Sequence, residues 1–224
     1  MPDRQMTAEQ DAMLFSLTRL GLEWVKGDIP FEDVKRRIGD PQHQFDQSGT
    51  LELTFFVEDV MEVTFEFRRP DEGASGESIP SGFSIDVYGD VQTNLPYETF
   101  DQLGLHRLVY GEKIDGVRSE SRGFMFPVAM GDPMRHTPLN TISFAYRQLL
   151  PDDSPYDIYA GFTYLAELVR EKGPWDLSII RRAVNLRRLA IGRVYLSPEE
   201  LDARDKALRD RAAESKNQSR VPTP

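Results

Sequence analysis

The sequence predicts an α+β fold, in which N-terminal helices pack on an antiparallel sheet of four or five strands and a C-terminal helical lobe follows. Two observations predict this class. Residues 51–68 alternate apolar and polar side chains, which is the period of a half-buried strand. From residue 138 onward, apolar residues recur at helical spacing instead. We therefore expect an α+β body over residues 1–135, a helical lobe over 138–213 that packs on it, and a disordered tail over 214–224.

Two helices are predicted before the sheet. Thr7 and Gln10 occupy the positions of a capping box, and the apolar residues behind them keep helical spacing as far as Gly27. Pro30 suits the first position of a second, short helix over residues 31–38, which ends at Gly39. Both helices are expected on one face of the sheet.

Residues 51–68 predict two strands joined by an acidic turn. A two-residue turn would set Phe55 opposite Glu62, so the loop must hold an odd number of residues, centred on Asp59. The cross-strand pairs of this register are Val57–Met61, Phe55–Val63, Leu53–Phe65 and Glu52–Glu66. The last pair places two carboxylates opposite each other.

The remaining segments complete the sheet and the lobe. Strands are predicted over residues 83–87, 105–110 and 123–130, with one or two helical turns over 96–103. In the lobe, helices are predicted over residues 140–150, 155–172 and 176–191. Ser197, followed by Pro198 and two glutamates, is a start signal for a fourth helix that ends near Ala213.

Composition excludes several classes of function. The 224 residues contain no cysteine, which removes disulfides, thiolate nucleophiles and cysteine-based metal sites. The net charge is -10, with -11 in residues 1–150 and +1 in residues 151–224. The acidic part repels phosphate backbones and anionic membranes and attracts basic proteins. No apolar run approaches the length of a membrane span, and no targeting segment is recognisable. We expect a cytoplasmic protein with no membrane association.

Seven residues on the hairpin and the next strand form the first candidate site. They are Glu52, Glu58, Asp59, Glu62, Glu66, Asp86 and Tyr88. Like charges that face each other destabilise a sheet, so the cluster requires a cation, a basic side chain or open solvent. Three interpretations stay open, namely a solvated surface, an interface with a basic protein, and a metal or catalytic site.

An arginine-rich segment is the second candidate. Four arginines lie within the predicted helix over residues 176–191, namely Arg181, Arg182, Arg187 and Arg188. With the preceding helix, they could form a helix-turn-helix that reads DNA. The same helix is amphipathic and could instead pair with the acidic body, so nucleic acid is the lesser alternative.

The sequence shows no catalytic signature. His43, His106 and His136 are far apart, without metal-ligand spacing, and no nucleophile elbow, phosphate-binding loop or dinucleotide-binding motif occurs. We assign no catalytic residue, no metal and no cofactor. A metal-dependent hydrolase built from a carboxylate cluster near Asp86 and Asp90 with His106 remains an alternative.

These observations favour a non-catalytic, acidic protein-binding function. The specific hypothesis is a bacterial cytoplasmic inhibitor of the immunity-protein or antitoxin kind, which masks a basic toxin or nuclease.

Overall fold

The computed structural model describes residues 4–47, 49–69, 78–107, 113–114, 117–118, 124–125, 139–151, 153–167 and 184–218. Within these ranges the helices are α1 (Ala8–Lys26), α2 (Phe31–Ile38), a 3-10 helix (Tyr97–Leu103) and α3 (Pro198–Gln218). The longer strands are β2 (His43–Gln47), β3 (Thr50–Val57), β4 (Met61–Arg68), β5 (Ile79–Val87), β11 (Leu139–Gln148), β12 (Tyr156–Glu167) and β13 (Asn185–Tyr195). The two-residue strands are β1 (Arg4–Gln5), β6 (Val91–Gln92), β7 (His106–Arg107), β8 (Lys113–Ile114), β9 (Val117–Arg118) and β10 (Phe124–Met125).

One antiparallel sheet organises the fold. Its six long strands lie in the order β11-β12-β13-β5-β4-β3, and β2 forms the edge beside β3. The short strands β7 and β10 both pair with β11, which brings the sheet to nine strands among the described residues. The α+β class is thus confirmed, and the predicted number of strands was too small.

The hairpin of β3 and β4 has the predicted register. Val57 pairs with Met61, and Glu52 faces Glu66. The turn between them holds three residues, and the Val60 N–H donates to the Val57 carbonyl at 3.1 Å. Glu58 and Asp59 both take positive φ angles, of 49° and 52°. This geometry follows the right-handed twist of the strands, although it usually selects glycine or asparagine.

Three segments predicted as helices are strands of the same sheet. The described parts of 140–150, 155–172 and 176–191 form β11, β12 and β13, so the prediction of a helical lobe was wrong there. In β12 every second side chain is fully buried, namely Ile158, Ala160, Phe162 and Tyr164. Apolar residues four positions apart satisfy a period of two as well as a helical period, and this ambiguity caused the error. β13 pairs with β5, so the sheet runs continuously from the hairpin into this segment.

The helix α1 packs on β5 and β13. Gly21 makes this close approach possible, because a Cβ atom there would lie 2.3 Å from the Phe83 ring. Trp24 is 1% exposed and has its ring centroid 5.0 Å from those of both Phe65 and Phe67. The aromatic side of the hairpin and α1 therefore form one core.

Two residues of the later strands hold the end of α1. Arg193 donates to the Val25 carbonyl at 2.7 Å, and the Tyr156 hydroxyl donates to the Lys26 carbonyl at 3.1 Å. The Arg193 guanidinium lies 4.3 Å from the Tyr156 ring centroid. A cation is favourable at a helix C-terminus, where carbonyl groups lack intrahelical partners.

The predictions for the ends of the chain are confirmed in part. The capping box of Thr7 and Gln10 is present at the start of α1. At the start of α3, Ser197 and Glu200 form two reciprocal capping hydrogen bonds. α3 continues to Gln218, past the predicted end at residue 213, and residues 219–224 lie outside the described ranges. The helical turns predicted over 96–103 form a 3-10 helix. Of the strands predicted over 105–110 and 123–130, only the residues of β7 and β10 are described as strand.

None of the helices in the described part of the chain has the length and apolarity required to cross a lipid bilayer.

Candidate functional site

The acidic residues lie on the face of the sheet opposite α1, here called the outer face. Side chains alternate along each strand. The buried Phe65 and Ile85 face α1, and the neighbouring residues of the same strands face outward. The register sets Glu52 opposite Glu66 and Glu62 opposite Asp86. These four carboxylates are named the acidic face. The structure therefore brings together four of the seven residues predicted as one site.

A row of small side chains separates the two acidic pairs. This row crosses five strands as Thr54, Thr64, Ser84, Ala190 and Gly161. The hydroxyl oxygens of Thr54 and Thr64 lie 3.3 Å apart and form a hydrogen bond. The row consists of small side chains, and Ser84 at its centre is buried.

Glu66 is the carboxylate with the most perturbed surroundings. Its Oε2 atom lies 2.8 Å from the position that a Cβ would take at Gly82, so the carboxylate rests over this glycine. Burial raises the pKa of Glu66, the charge of Glu52 raises it further, and Arg188 opposes both effects. The folded protein thus holds a carboxylate whose negative charge is poorly compensated.

Asp86 is the member of the acidic face that has an ion pair. Its Oδ1 atom lies 3.3 Å from Nη1 of Arg188, and both side chains are about half exposed. Burial raises the pKa of Asp86, and the Arg188 charge lowers it. Among the described residues, no salt bridge is formed by Glu52, Glu62 or Glu66.

The turn residues Glu58 and Asp59, named the acidic turn, lie at one end of this face. Arg4 donates to the Asp59 carbonyl at 2.7 Å and forms an ion pair with Asp90 at 3.2 Å. Gln10 donates to the Glu58 carboxylate at 3.1 Å. The Arg4 contact uses the backbone of Asp59, so the Asp59 carboxylate itself stays available to a partner.

Tyr88 follows β5 and lies close to both acidic groups. Burial raises the pKa of its hydroxyl, and the charges of Glu62 and Asp59 raise it further. Its backbone carbonyl accepts a hydrogen bond from Arg187 at 2.7 Å. The Tyr88 hydroxyl therefore loses its proton less readily than an ordinary tyrosine.

The arginine candidates do not form the expected recognition helix. Arg187 and Arg188 lie on strand β13, which contradicts the predicted helix, while Arg181 and Arg182 lie outside the described residues. Nη1 of Arg187 donates to the Tyr88 and Val91 carbonyls, each at 2.7 Å. Burial lowers the pKa of Arg187. This arginine fixes the end of β5, and Arg188 contacts Asp86.

The residues of the hydrolase alternative are not brought together. Asp86 pairs with Arg188, and Asp90 pairs with Arg4. His106 lies in β7, which pairs with β11, four strands from β5 in the sheet order. Neighbouring strands are about 4.8 Å apart, so roughly 19 Å separates these two strands. In the part of the chain that the structure describes, no group of three potential metal ligands occurs.

Exposed aromatic residues at the sheet edge were missed by the sequence reasoning. Phe45 of β2 and Phe56 of β3 are 55% and 41% exposed, and His43 packs edge-on against Phe56 at 5.2 Å. Residues 43–47 contain a single large apolar side chain and gave no signal of a strand. His136, the third histidine, lies outside the described residues.

No protein-family model matches the sequence, and the chain finds no match among curated proteins or among solved structures.

Proposed function

We propose that the protein binds a basic protein through the acidic face and the acidic turn, and that it inhibits this partner without catalysis, as immunity proteins and antitoxins do. The observation that carries the proposal is the cross-strand register, which sets Glu52 against Glu66 and Glu62 against Asp86. Like charges in such positions cost stability. A basic partner would supply the missing cations.

The surroundings of the carboxylates support binding of a protein rather than of a single ion. The four side chains are spread over three strands, and each is only partly exposed. An outer face with small residues between the charges suits a flat, basic surface. The exposed aromatic residues Phe45 and Phe56 lie at its edge and could provide apolar contact area.

Inhibition would follow from steric blocking and electrostatic complementarity. The acidic face would cover the basic surface with which a toxin or nuclease holds its own anionic substrate. Opposite potentials accelerate the encounter of two proteins, and the association rate falls steeply with ionic strength. The exposed Arg188 would repel misplaced basic groups and so help to fix the orientation of the partner.

Neutralisation of the acidic face tests this function. The variant Glu52→Gln, Glu62→Gln, Glu66→Gln removes the three carboxylates that form no described salt bridge. The matched control, Glu9→Gln, Glu98→Gln, Asp202→Asn, removes the same charge from exposed positions elsewhere. Each immobilised chain is incubated with lysate of the native host, and the retained protein is then purified and titrated against all three chains.

We expect wild type and control to retain one basic protein in stoichiometric amount, with an association rate that falls as salt increases. The acidic-face variant should bind it at least about tenfold more weakly. Addition of the wild-type chain should suppress the activity of that protein. Equal affinity of the acidic-face variant and the control would exclude this face as the interface.

A further inference from the structure

A cleft of about 390 Å³ lies between α1, the end of α2 and the end of β3. Its apolar wall consists of Met13, Leu17, Leu20, Ile38, Phe56 and Val57. Ser16, Arg37 and Glu58 supply its polar groups. Its volume lies within the range of pockets that bind small molecules or single side chains of a partner.

The two charged residues stand at opposite ends of the cleft. Glu58 accepts a hydrogen bond from Gln10, in the first turn of α1. Arg37 approaches Glu23, near the end of α1, at 3.8 Å. A helix rises about 1.5 Å per residue, so the two contact points are about 20 Å apart along α1. The cleft therefore has an acidic end and a basic end, with apolar walls between them.

The side chain of Gln42 closes the sheet edge beside the cleft. β2 begins at His43, which pairs with Thr54, and the Gln42 N–H donates to the Thr54 carbonyl at 2.9 Å. The Phe56 N–H donates to the Gln42 side-chain oxygen at 2.8 Å. A ligand in the cleft is therefore held by side-chain contacts rather than by pairing with β3.

We propose that this cleft binds an extended, apolar peptide segment of the basic partner, with a basic residue at the Glu58 end and an acidic residue at the Arg37 end. This inference rests on the proposed function, because the acidic turn continues from the cleft to the acidic face. Five extended residues cover about 17 Å at roughly 3.3 Å each, and the charged side chains of the two terminal residues extend this reach to both ends of the cleft.

A peptide titration tests the proposal on the complete chain. The probe is the capped pentapeptide Arg-Leu-Phe-Leu-Glu, followed by chemical shifts of the isotope-labelled protein. A second probe, Gln-Leu-Phe-Leu-Gln, has the same apolar core without charge, and decanoate tests a simple aliphatic ligand. We expect the charged peptide to shift the cleft residues and to bind about threefold or more tightly than the neutral one.

Two substitutions on α1 distinguish the cleft from general apolar binding. Ser16→Trp fills the cleft from an exposed position, and Ala12→Trp places the same side chain at an exposed position outside the cleft. Ser16→Trp should lower the affinity for the charged peptide by at least about tenfold, and Ala12→Trp should lower it by less than about twofold. Glu58→Gln should remove the preference for the charged peptide.

Absence of shifts in the cleft, shifts with decanoate but not with peptide, or equal affinity of both tryptophan variants would each overturn the proposal. The acidic-face variant separates this result from the proposed function. It should keep the affinity for the peptide while it loses the affinity for the basic partner. Loss of peptide binding in that variant would instead show that the peptide binds the acidic face and would overturn the assignment to the cleft.

Discussion

Two neighbouring arginines show how the position of a residue in the sheet determines its contacts. Arg187 and Arg188 are adjacent in β13, where a β-bulge interrupts the regular alternation of side chains. Arg187 donates to two backbone carbonyls, whereas Arg188 pairs with Asp86 on the outer face. Glu66 shows the same principle among the acids, because the neighbouring Gly82 lets its carboxylate lie against the sheet. The residue types alone predicted neither the contacts of the two arginines nor the position of the Glu66 carboxylate.

The raised pKa of Glu66 predicts a pH-dependent effect of Glu66→Gln. The folded state binds the proton of Glu66 more tightly than the unfolded state, since burial and Glu52 raise its pKa. Its contribution to stability is therefore complete at acidic pH and is lost as the pH rises through the raised pKa. Glutamine cannot ionise and suffers no such loss. The Tm of the variant relative to wild type should rise between pH 4 and pH 7.

Thermal unfolding across this pH range, with the exposed Glu98→Gln as control, checks this expectation. A difference in Tm between Glu66→Gln and wild type that is independent of pH would show that the pKa of Glu66 is not raised by folding.

At the scale of the elements, a buried ion pair joins α3 to the sheet. Asp157 of β12 is fully buried and accepts from Arg204 of α3 at 2.6 Å and from the Leu150 N–H at 3.1 Å. Leu201 and Leu208 of α3 are exposed. A helix that buries little apolar surface is marginal by itself in water, so this ion pair contributes to fixing the position of α3.

Arg204→Met should lower the free energy of unfolding by about 2–4 kcal/mol, because a buried carboxylate then loses this ion pair. The double variant Asp157→Asn, Arg204→Met should lose less, since the remaining side chain is uncharged. Urea denaturation of the two variants and of Asp157→Asn provides the measurement, and Arg209→Met at an exposed position of α3 is the control. Additive losses in the double variant would contradict a direct interaction of the pair.

At the scale of the whole molecule, the acidic face lies on one side of a sheet whose other side forms the core. The aromatic core of α1 and the hairpin stabilises the fold, and the facing carboxylates oppose it. The facing carboxylates lower the stability of the fold and give the sheet a negatively charged surface, which is consistent with the proposed binding function.

The acidic-face variant should therefore be more stable than wild type at low salt. Removal of three like charges should raise the free energy of unfolding by about 0.5–1.5 kcal/mol near 20 mM salt. The gain should fall by at least half at 0.5 M salt, because the charges of the wild type are then screened. Chemical denaturation at both salt concentrations checks this, and the charge-matched control variant should show a smaller gain.

The sequence by itself determined the local features of the protein. The capping box of α1, the stop at Gly27 and the hairpin register depend on contacts within about twenty residues, and all were predicted. The pairing of Glu52 with Glu66 followed from the period of two, which excludes a register shifted by one residue, together with a turn centred on Asp59.

Only the tertiary structure decided whether the later segments form helices or strands. Residues 156–167 and 185–195 have apolar spacing that fits either a helix or a strand, and pairing of β13 with β5 selected the strand. This pairing also placed Arg188 beside Asp86 and Arg193 at the end of α1, contacts that join residues far apart in sequence. A single chain carries no local signal of such contacts, because they arise from the order of strands in the sheet.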